Sequence, residues 1–388
     1  MNNNNNPAAA PRVLQVVPAL DQGGVEVGTL EMARYLVAQG WGSWVVSNGG
    51  RMVGRLAADG STHLALPLHK RNPWQLLKNG IALARLVKQH KISLLHARSR
   101  GPAWSAWVAS RLTGVPYVTT YHGIYGHEYW LKRVYNSAML RGKKVIANSR
   151  YTLAHLENTY DIPPQRLALA IRGYDETLFE PTRVDPDAVK KFRHDWGAGQ
   201  YTPVILLVGR LTRLKGHAVV LEALAQLLSQ KWQAVFVGSG TPEFTTELQT
   251  LTAKYGLTER VHFAGGKPET DMPACLMAAD LCLSASVQPE SFGRTIIEAQ
   301  AMGTPVIATN HGGALELVDR NITGWLVPPG NANALAQAIK KALQLPLNDR
   351  KNMTAACRAW ASQFTTAKMC AAELAVYQDV LGRTSCAE

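Results

Sequence analysis

Cysteine is scarce: five in 388 residues, Cys275, Cys282, Cys357, Cys370 and Cys386, all in the second half and with no C-x-x-C pair. That distribution argues against a disulfide framework and a zinc site, and it fits a reducing cytoplasm. Long apolar runs are missing too. No stretch approaches the length of a membrane span, and residues 1–7 have neither the basic start nor the apolar core of a signal peptide. Residues 1–10, rich in asparagine, are expected to be a disordered tail. No G-x-G-x-x-G occurs, which disfavours a dinucleotide-binding enzyme.

What is present is an ordinary globular balance, 46% hydrophobic and 18% charged residues, on a chain too long for one core to be the natural expectation. The net charge of +13 is uneven. Residues 1–180 hold 21 Lys and Arg against 10 Asp and Glu, whereas the remainder holds 20 against 18. Such asymmetry points to a negatively charged partner for the first half (nucleic acid, an anionic membrane surface or an acidic acceptor), or else to plain solubility. A nucleic-acid-binding protein is the alternative of another class that the charge allows, but no nucleic-acid module is recognisable, so no nucleic-acid partner is expected.

Short β-branched runs alternate with longer helical patterns, which is how parallel sheets covered by helices on both faces read. The fold class expected is α/β. Strands are predicted at 12–17, 42–47, 92–96, 116–121 and 144–148, and again at 204–208, 234–237, 261–264, 281–284 and 306–309. Helices are predicted at 25–39 and 74–88. Between 171 and 201 the alternation breaks into Gly, Pro and acidic residues, which places a junction there. The expected domains are 11–180, a linker over 181–203, and 204–365, with 366–388 forming a helix that returns to the first domain.

Two motifs carry chemistry. Strand 204–208 runs into Gly209-Arg210-Leu211-Thr212-Arg213-Leu214-Lys215-Gly216 before a helix starting near His217. A strand end beside a helix start, with fixed cations, is where a diphosphate binds well. The second is Glu290-Ser291-Phe292-Gly293-Arg294-Thr295-Ile296-Ile297-Glu298, with Ser291 the expected N-cap. Ionised carboxylates accept paired hydroxyl hydrogen bonds, as polyol recognition requires.

Taken with Gly238-Ser239-Gly240, Val261-His262-Phe263-Ala264-Gly265, Gly303-Thr304-Pro305-Val306, Gly312-Gly313 and Gly324-Trp325-Leu326-Val327, this order resembles the family 4 retaining glycosyltransferases of the GT-B fold. The resemblance spans roughly residues 12–345. It implies two doubly wound Rossmann-like domains facing across a cleft, and transfer of a hexosyl group from a nucleotide diphosphate sugar, a UDP-sugar first among them. The acceptor implied is a glycan or a lipid-linked saccharide of cell-surface polysaccharide or lipopolysaccharide. No cofactor and no metal are implied.

Residue by residue, the resemblance gives Arg210 and Lys215 the donor diphosphate, and Glu290 the donor sugar hydroxyls. The main-chain N–H groups of Phe292 and Gly293 fall to sugar and phosphate, and Glu298 to the ribose. Residues 261–267, including Gly265, match the base-binding strand and loop. Gly23-Gly24 matches the glycine loop over the donor phosphate, and His122, at a strand end, the active-site histidine. The sequence departs from the family at Ala170-Ile171-Arg172-Gly173, which lacks a proline, and at Arg294, where an uncharged residue is common; Arg294 is left open between phosphate, acceptor and solvent.

Asp185-Pro186-Asp187 spells D-x-D but lies in the proline-bearing junction, so it reads as solvated linker and not as a metal site. Between Arg98 and Lys144, basic residues (Arg98, Arg100, Arg111, Lys132, Arg133, Arg141) interleave with Trp104, Trp107 and Trp130. This is either a surface for anionic lipid headgroups or aromatic core under a solvated face. A GT-B nucleotide-sugar epimerase shares the fold and the diphosphate site, and remains the alternative within enzymes.

Overall fold

The computed structural model describes residues 10–21, 23–70, 72–126 and 129–382. Apart from Ala10, the tail expected over residues 1–10 lies outside them.

Two parallel sheets form the framework. The first contains β1 (Arg12–Val16), β2 (Gly42–Ser47), β3 (Thr62–Ala65), β4 (Leu94–Ala97), β5 (Tyr117–Tyr121), β6 (Val145–Ala147) and β7 (Leu167–Leu169), in the spatial order 3-2-1-4-5-6-7. The second contains β8 (Val204–Val208), β9 (Gln233–Val237), β10 (Val261–Gly265), β11 (Leu281–Ser284), β12 (Val306–Thr309) and β13 (Gly324–Val327), in the order 10-9-8-11-12-13. Central strands such as β8, with sequence VILLV, are buried on both faces, as a sheet sandwiched by helices demands. The strands not anticipated, β3, β7 and β13, lie at sheet edges. β3 and β7 are short and partly exposed, so they carry no continuous apolar run.

The chain divides into two compact units: residues up to Ile171 rejoined from Ala367 onwards, and Arg172–Thr366. This corrects the linker expected over 181–203. Pro186–Asp195 is a helix, Trp196 behind it is buried, and Arg193 donates to the carbonyls of Ala278 and Thr202 and to Asp280. A segment so tied belongs to the second unit. Its two ends meet: Tyr174 N–H donates to Phe364 O at 3.0 Å, and Thr366 N–H to Tyr174 O at 2.8 Å.

The closing helix, Thr366–Val380, lays Met369, Cys370, Leu374 and Tyr377 against Val13, Met32, Leu36 and Leu94 under the first sheet. Polar contacts fix its register. Tyr377 Oη lies 2.5 Å from His96 Nδ1, and Glu373 holds Arg98.

Candidate active site

Each sheet reverses its strand order beside its first strand, between β1 and β4 and between β8 and β11. Loops leaving neighbouring strands at such a point diverge, and the crevice outside the strand carboxyl ends becomes the ligand site of open α/β sheets. Lys215 follows β8 and Glu290 follows β11, so the second reversal is flanked by the two motifs picked out of the sequence.

The loop after β8 is docked onto the loop after β11. Val287 N–H donates to Leu214 O at 2.8 Å, and Gly216 ends the short turn at φ 74°. A Cβ at Gly216 would stand 1.9 Å from Ala285 O, so only glycine permits both the left-handed turn and the approach. Helix His217–Ala225 starts directly behind it. On the other side, Gly313 N–H donates to Glu290 O at 2.8 Å and fixes the backbone at the head of the acidic motif.

Between these loops the Nζ of Lys215 donates to Oε2 of Glu290 at 2.7 Å, while the Ser286 hydroxyl donates to Oε1. Lys215, Glu290, Gly293 and Thr295 line one small cavity at the carboxyl ends of β8 and β11. Burial pushes the Glu290 carboxyl up, but the Lys215 ammonium and the Ser286 hydroxyl outweigh it and hold the pKa below its ordinary value. The carboxylate is therefore ionised near neutrality. His217, by contrast, is buried and its pKa is pushed down to about 4, chiefly by burial and further by Lys215. It adds no charge at neutral pH.

The helix after the acidic motif is Arg294–Ala301, and its N-cap is Gly293 at φ 110°, not Ser291. Phe292, 3% exposed, anchors the preceding turn in the core, and the helix starts where a glycine can take the left-handed backbone. The N–H groups of Phe292 and Gly293 have no backbone acceptor among the described residues. Glu298, one turn into the helix, is nearly buried, and Arg294 Nε donates to its Oε1 at 2.9 Å while Arg294 Nη2 reaches Glu269 at 3.4 Å. Arg294 thus braces the carboxylate.

Arg210 is exposed, and its guanidinium makes no hydrogen bond or ion pair among the described residues. The nearby Arg213 is different, being bidentate to Glu247 at 2.7 and 2.6 Å. Gly265 ends β10, where its carbonyl accepts from Gly238 N–H at 2.9 Å. In the first unit, Gly23 is the N-cap of helix Gly24–Ala38 after β1, and His122 is the first residue after β5. His122 also acts on His96, whose pKa is driven well below normal by burial, by Arg98 and by His122.

The D-x-D string has a local use. Asp185 accepts from Asp187 N–H as the cap of Pro186–Asp195, and Asp187 pairs with Lys190 at 2.8 Å. Of the cations expected on a surface, Arg98 is internal instead, whereas Arg141 stays exposed with its guanidinium stacked over Trp104 and Trp107 at 5.1 and 4.9 Å. Reading by residue type missed Ser286 and the bracing by Arg294, although the i,i+4 spacing to Glu298 was a usable signal.

Two doubly wound parallel sheets of this kind place the protein in the GT-B class of glycosyltransferases. Residues 189–360 match the family described as glycosyl transferases group 1, and residues 22–178 match glycosyltransferase family 4. The crystal structure of a glycosyltransferase from Rickettsia africae is 36% identical, with a TM-score of 0.89 over 97% of this chain and 100% of that one. The chain belongs to glycosyltransferase family 4. The 2-deoxystreptamine glucosyltransferase of Streptomyces kanamyceticus is 29% identical over 77% of this chain and 79% of its own length. The fold also matches Anabaena Alr3699/HepE, solved with UDP and glucose, at 24% identity and a TM-score of 0.82 over 95% of this chain and 99% of that one.

Proposed function

We propose that this glycosyltransferase moves a hexosyl group, with retention and without a metal ion, from a UDP-sugar to a glycan or lipid-linked saccharide. The setting is cell-surface polysaccharide or lipopolysaccharide assembly on the cytoplasmic side of a membrane. The observation that carries the reading is the Lys215–Glu290 pair beside two amides without backbone acceptors, at the strand-order reversal of the second sheet.

Sugar transfer is limited by departure of a diphosphate from an oxocarbenium-like carbon, so fixed positive charge at the leaving group is the main requirement. Lys215 and the unpaired Arg210 supply it, and the N–H groups of Phe292 and Gly293 add neutral donors. Glu290 keeps free lone pairs on both oxygens after accepting from Lys215 and Ser286, enough for donor-sugar hydroxyls. Glu298, held by Arg294, takes the ribose and the loop at Gly265 borders the base; Gly23, Gly24 and His122 are the first unit's own candidate site residues by the family resemblance. The acceptor hydroxyl oxygen bonds to the anomeric carbon as the carbon–phosphate-oxygen bond breaks, and its proton passes to the departing phosphate oxygen.

UDP as the donor base draws support from the Anabaena neighbour. The Streptomyces relative is named for an aminocyclitol acceptor, so the acceptor does not follow from the family; the basic character of the first half supports an anionic or membrane-borne one. A panel of nucleotide sugars read by thermal shift tests the donor, because a ligand bound by the native form raises the melting temperature. UDP-sugars should stabilise and GDP- and ADP-sugars should not. Nucleoside diphosphate release that is independent of any acceptor would favour the epimerase, and loss of turnover in EDTA or an inverted product would refute the mechanism.

A further inference from the structure

The first unit carries an oddly distributed set of exposed apolar side chains. Of the 15 large hydrophobic residues exposed among the described residues, nine fall between Trp74 and Val134. Over the wider stretch 60–156 there are 15 Lys and Arg against a single acid, Glu128.

Two helices present six of the nine. On Pro73–Gln89, Trp74, Leu77 and Ile81 share one stripe with Lys78 and Arg85, following the i, i+3, i+4, i+7 spacing of a single helix face. Trp74 is 76% exposed. On Trp130–Asn136, Trp130 is 70% exposed, with Leu131 and Val134 also bare and Lys132 and Arg133 between them.

Helix Arg100–Thr113 lies between the two. Its Ser105 hydroxyl donates to Leu76 O on the first, and Trp104 Nε1 donates to Tyr135 O on the second. The three helices follow parallel strands, so their N-terminal ends share the carboxyl edge of the sheet. Trp74 and Trp130 stand at those ends, the edge that also carries His122.

Bare tryptophans at one edge, cations around them and almost no acid are the chemistry of an interfacial surface: aromatic rings enter the headgroup layer, and Lys and Arg meet anionic lipid. No helix among the described residues is long and apolar enough to cross a membrane, so contact would be from one side. We propose that the solvent faces of Pro73–Gln89 and Trp130–Asn136 form a docking surface for an anionic lipid bilayer. This deepens the membrane part of the proposed function by naming the surface, and it brings the bilayer to the edge of the first sheet where His122 lies.

Flotation of the full chain with vesicles of equimolar phosphatidylglycerol and phosphatidylcholine tests it. The protein should float with these vesicles at low salt, much less at high salt, and not with phosphatidylcholine alone. Trp74→Ala and Trp130→Ala should each lower partitioning roughly tenfold through lost apolar burial. Lys132→Ala with Arg133→Ala should lower it roughly 25-fold, at about fivefold per cation. All four side chains are exposed, so unchanged melting temperatures and unchanged UDP binding should accompany these losses.

No flotation at low salt, equal flotation on phosphatidylcholine, or full flotation of both tryptophan variants would overturn the proposal. So would sedimentation as a dimer without lipid that reverts to monomer in Trp130→Ala, which would make the face a contact between copies. Intact UDP binding without flotation defeats docking alone, and flotation without UDP binding defeats the donor assignment alone.

Discussion

Lys215 and Glu290 come from loops on opposite sides of the β8/β11 reversal, 75 residues apart in sequence, and meet at 2.7 Å. The pair holds the ammonium in place, and under the proposed function this preorganisation is what a cation at a departing phosphate requires. Lys215→Ala should lower kcat on the order of 100-fold, measured as steady-state release of nucleoside diphosphate. Glu290→Gln keeps the shape while removing the charge that holds Lys215, and should cost less in kcat than the lysine loss. Near-normal turnover in Lys215→Ala would remove the leaving-group assignment.

Under the proposed function Arg294 acts on the donor through Glu298, whose Oε1 it holds at 2.9 Å. Charge-assisted hydrogen bonds to a nearly buried carboxylate contribute about 1.5–3 kcal/mol, and the ribose end of the donor is remote from the breaking bond. Arg294→Ala should therefore raise the donor KM about tenfold with kcat little changed, the pattern of lost uniform binding. A fall in kcat at constant KM would place Arg294 on the phosphate instead.

The architecture was legible because buried parallel strands announce themselves. The runs at 42–47, 204–208, 281–284 and 306–309 coincide with β2, β8, β11 and β12. The edges were not legible, since a strand such as β7, Leu-Ala-Leu with every residue partly exposed, carries no signal above its surroundings. Nor was the division between units, because Gly and Pro in 181–203 mimic a linker while Trp196 and Arg193 bind that segment into the second unit. In the site, residue type and order named Lys215 and Glu290, but their pairing depends on the approach at Gly216, a tertiary fact. The same limit lies behind the cap expected at Ser291, which Gly293 holds instead.

His217 ties stability to pH. Its folded pKa of about 4 lies below the unfolded value near 6.5. Between those values the unfolded chain binds more protons, so stability rises with pH across that window. It is fully present above about pH 6.5 and is lost as pH falls towards 4. His96, also shifted down by burial, adds in the same direction. Melting temperatures measured from pH 7 to pH 4 should fall, and His217→Gln should flatten that fall relative to its own neutral value. An equal slope in the variant would show that His217 is not a coupled group.

The closing helix is clamped by a buried ion pair. Arg98 Nη2 lies 2.5 Å from Glu373 Oε2 and Nη1 lies 3.2 Å from Oε1, with both side chains 2% exposed or less, and Arg98 Nε donates to Gln15 at 2.7 Å. Desolvation opposes such a pair, so its presence is weak grounds for net stability, but removing one partner strands a charge. Glu373→Ala should destabilise the first unit by about 3–5 kcal/mol, read by urea unfolding. Replacing both Arg98 and Glu373 by methionine should recover most of that loss, since no uncompensated charge remains. If the double variant were as unstable as Glu373→Ala, the damage would lie in the packing of Thr366–Val380 against β1 and β4, and the electrostatic account of the clamp would fail.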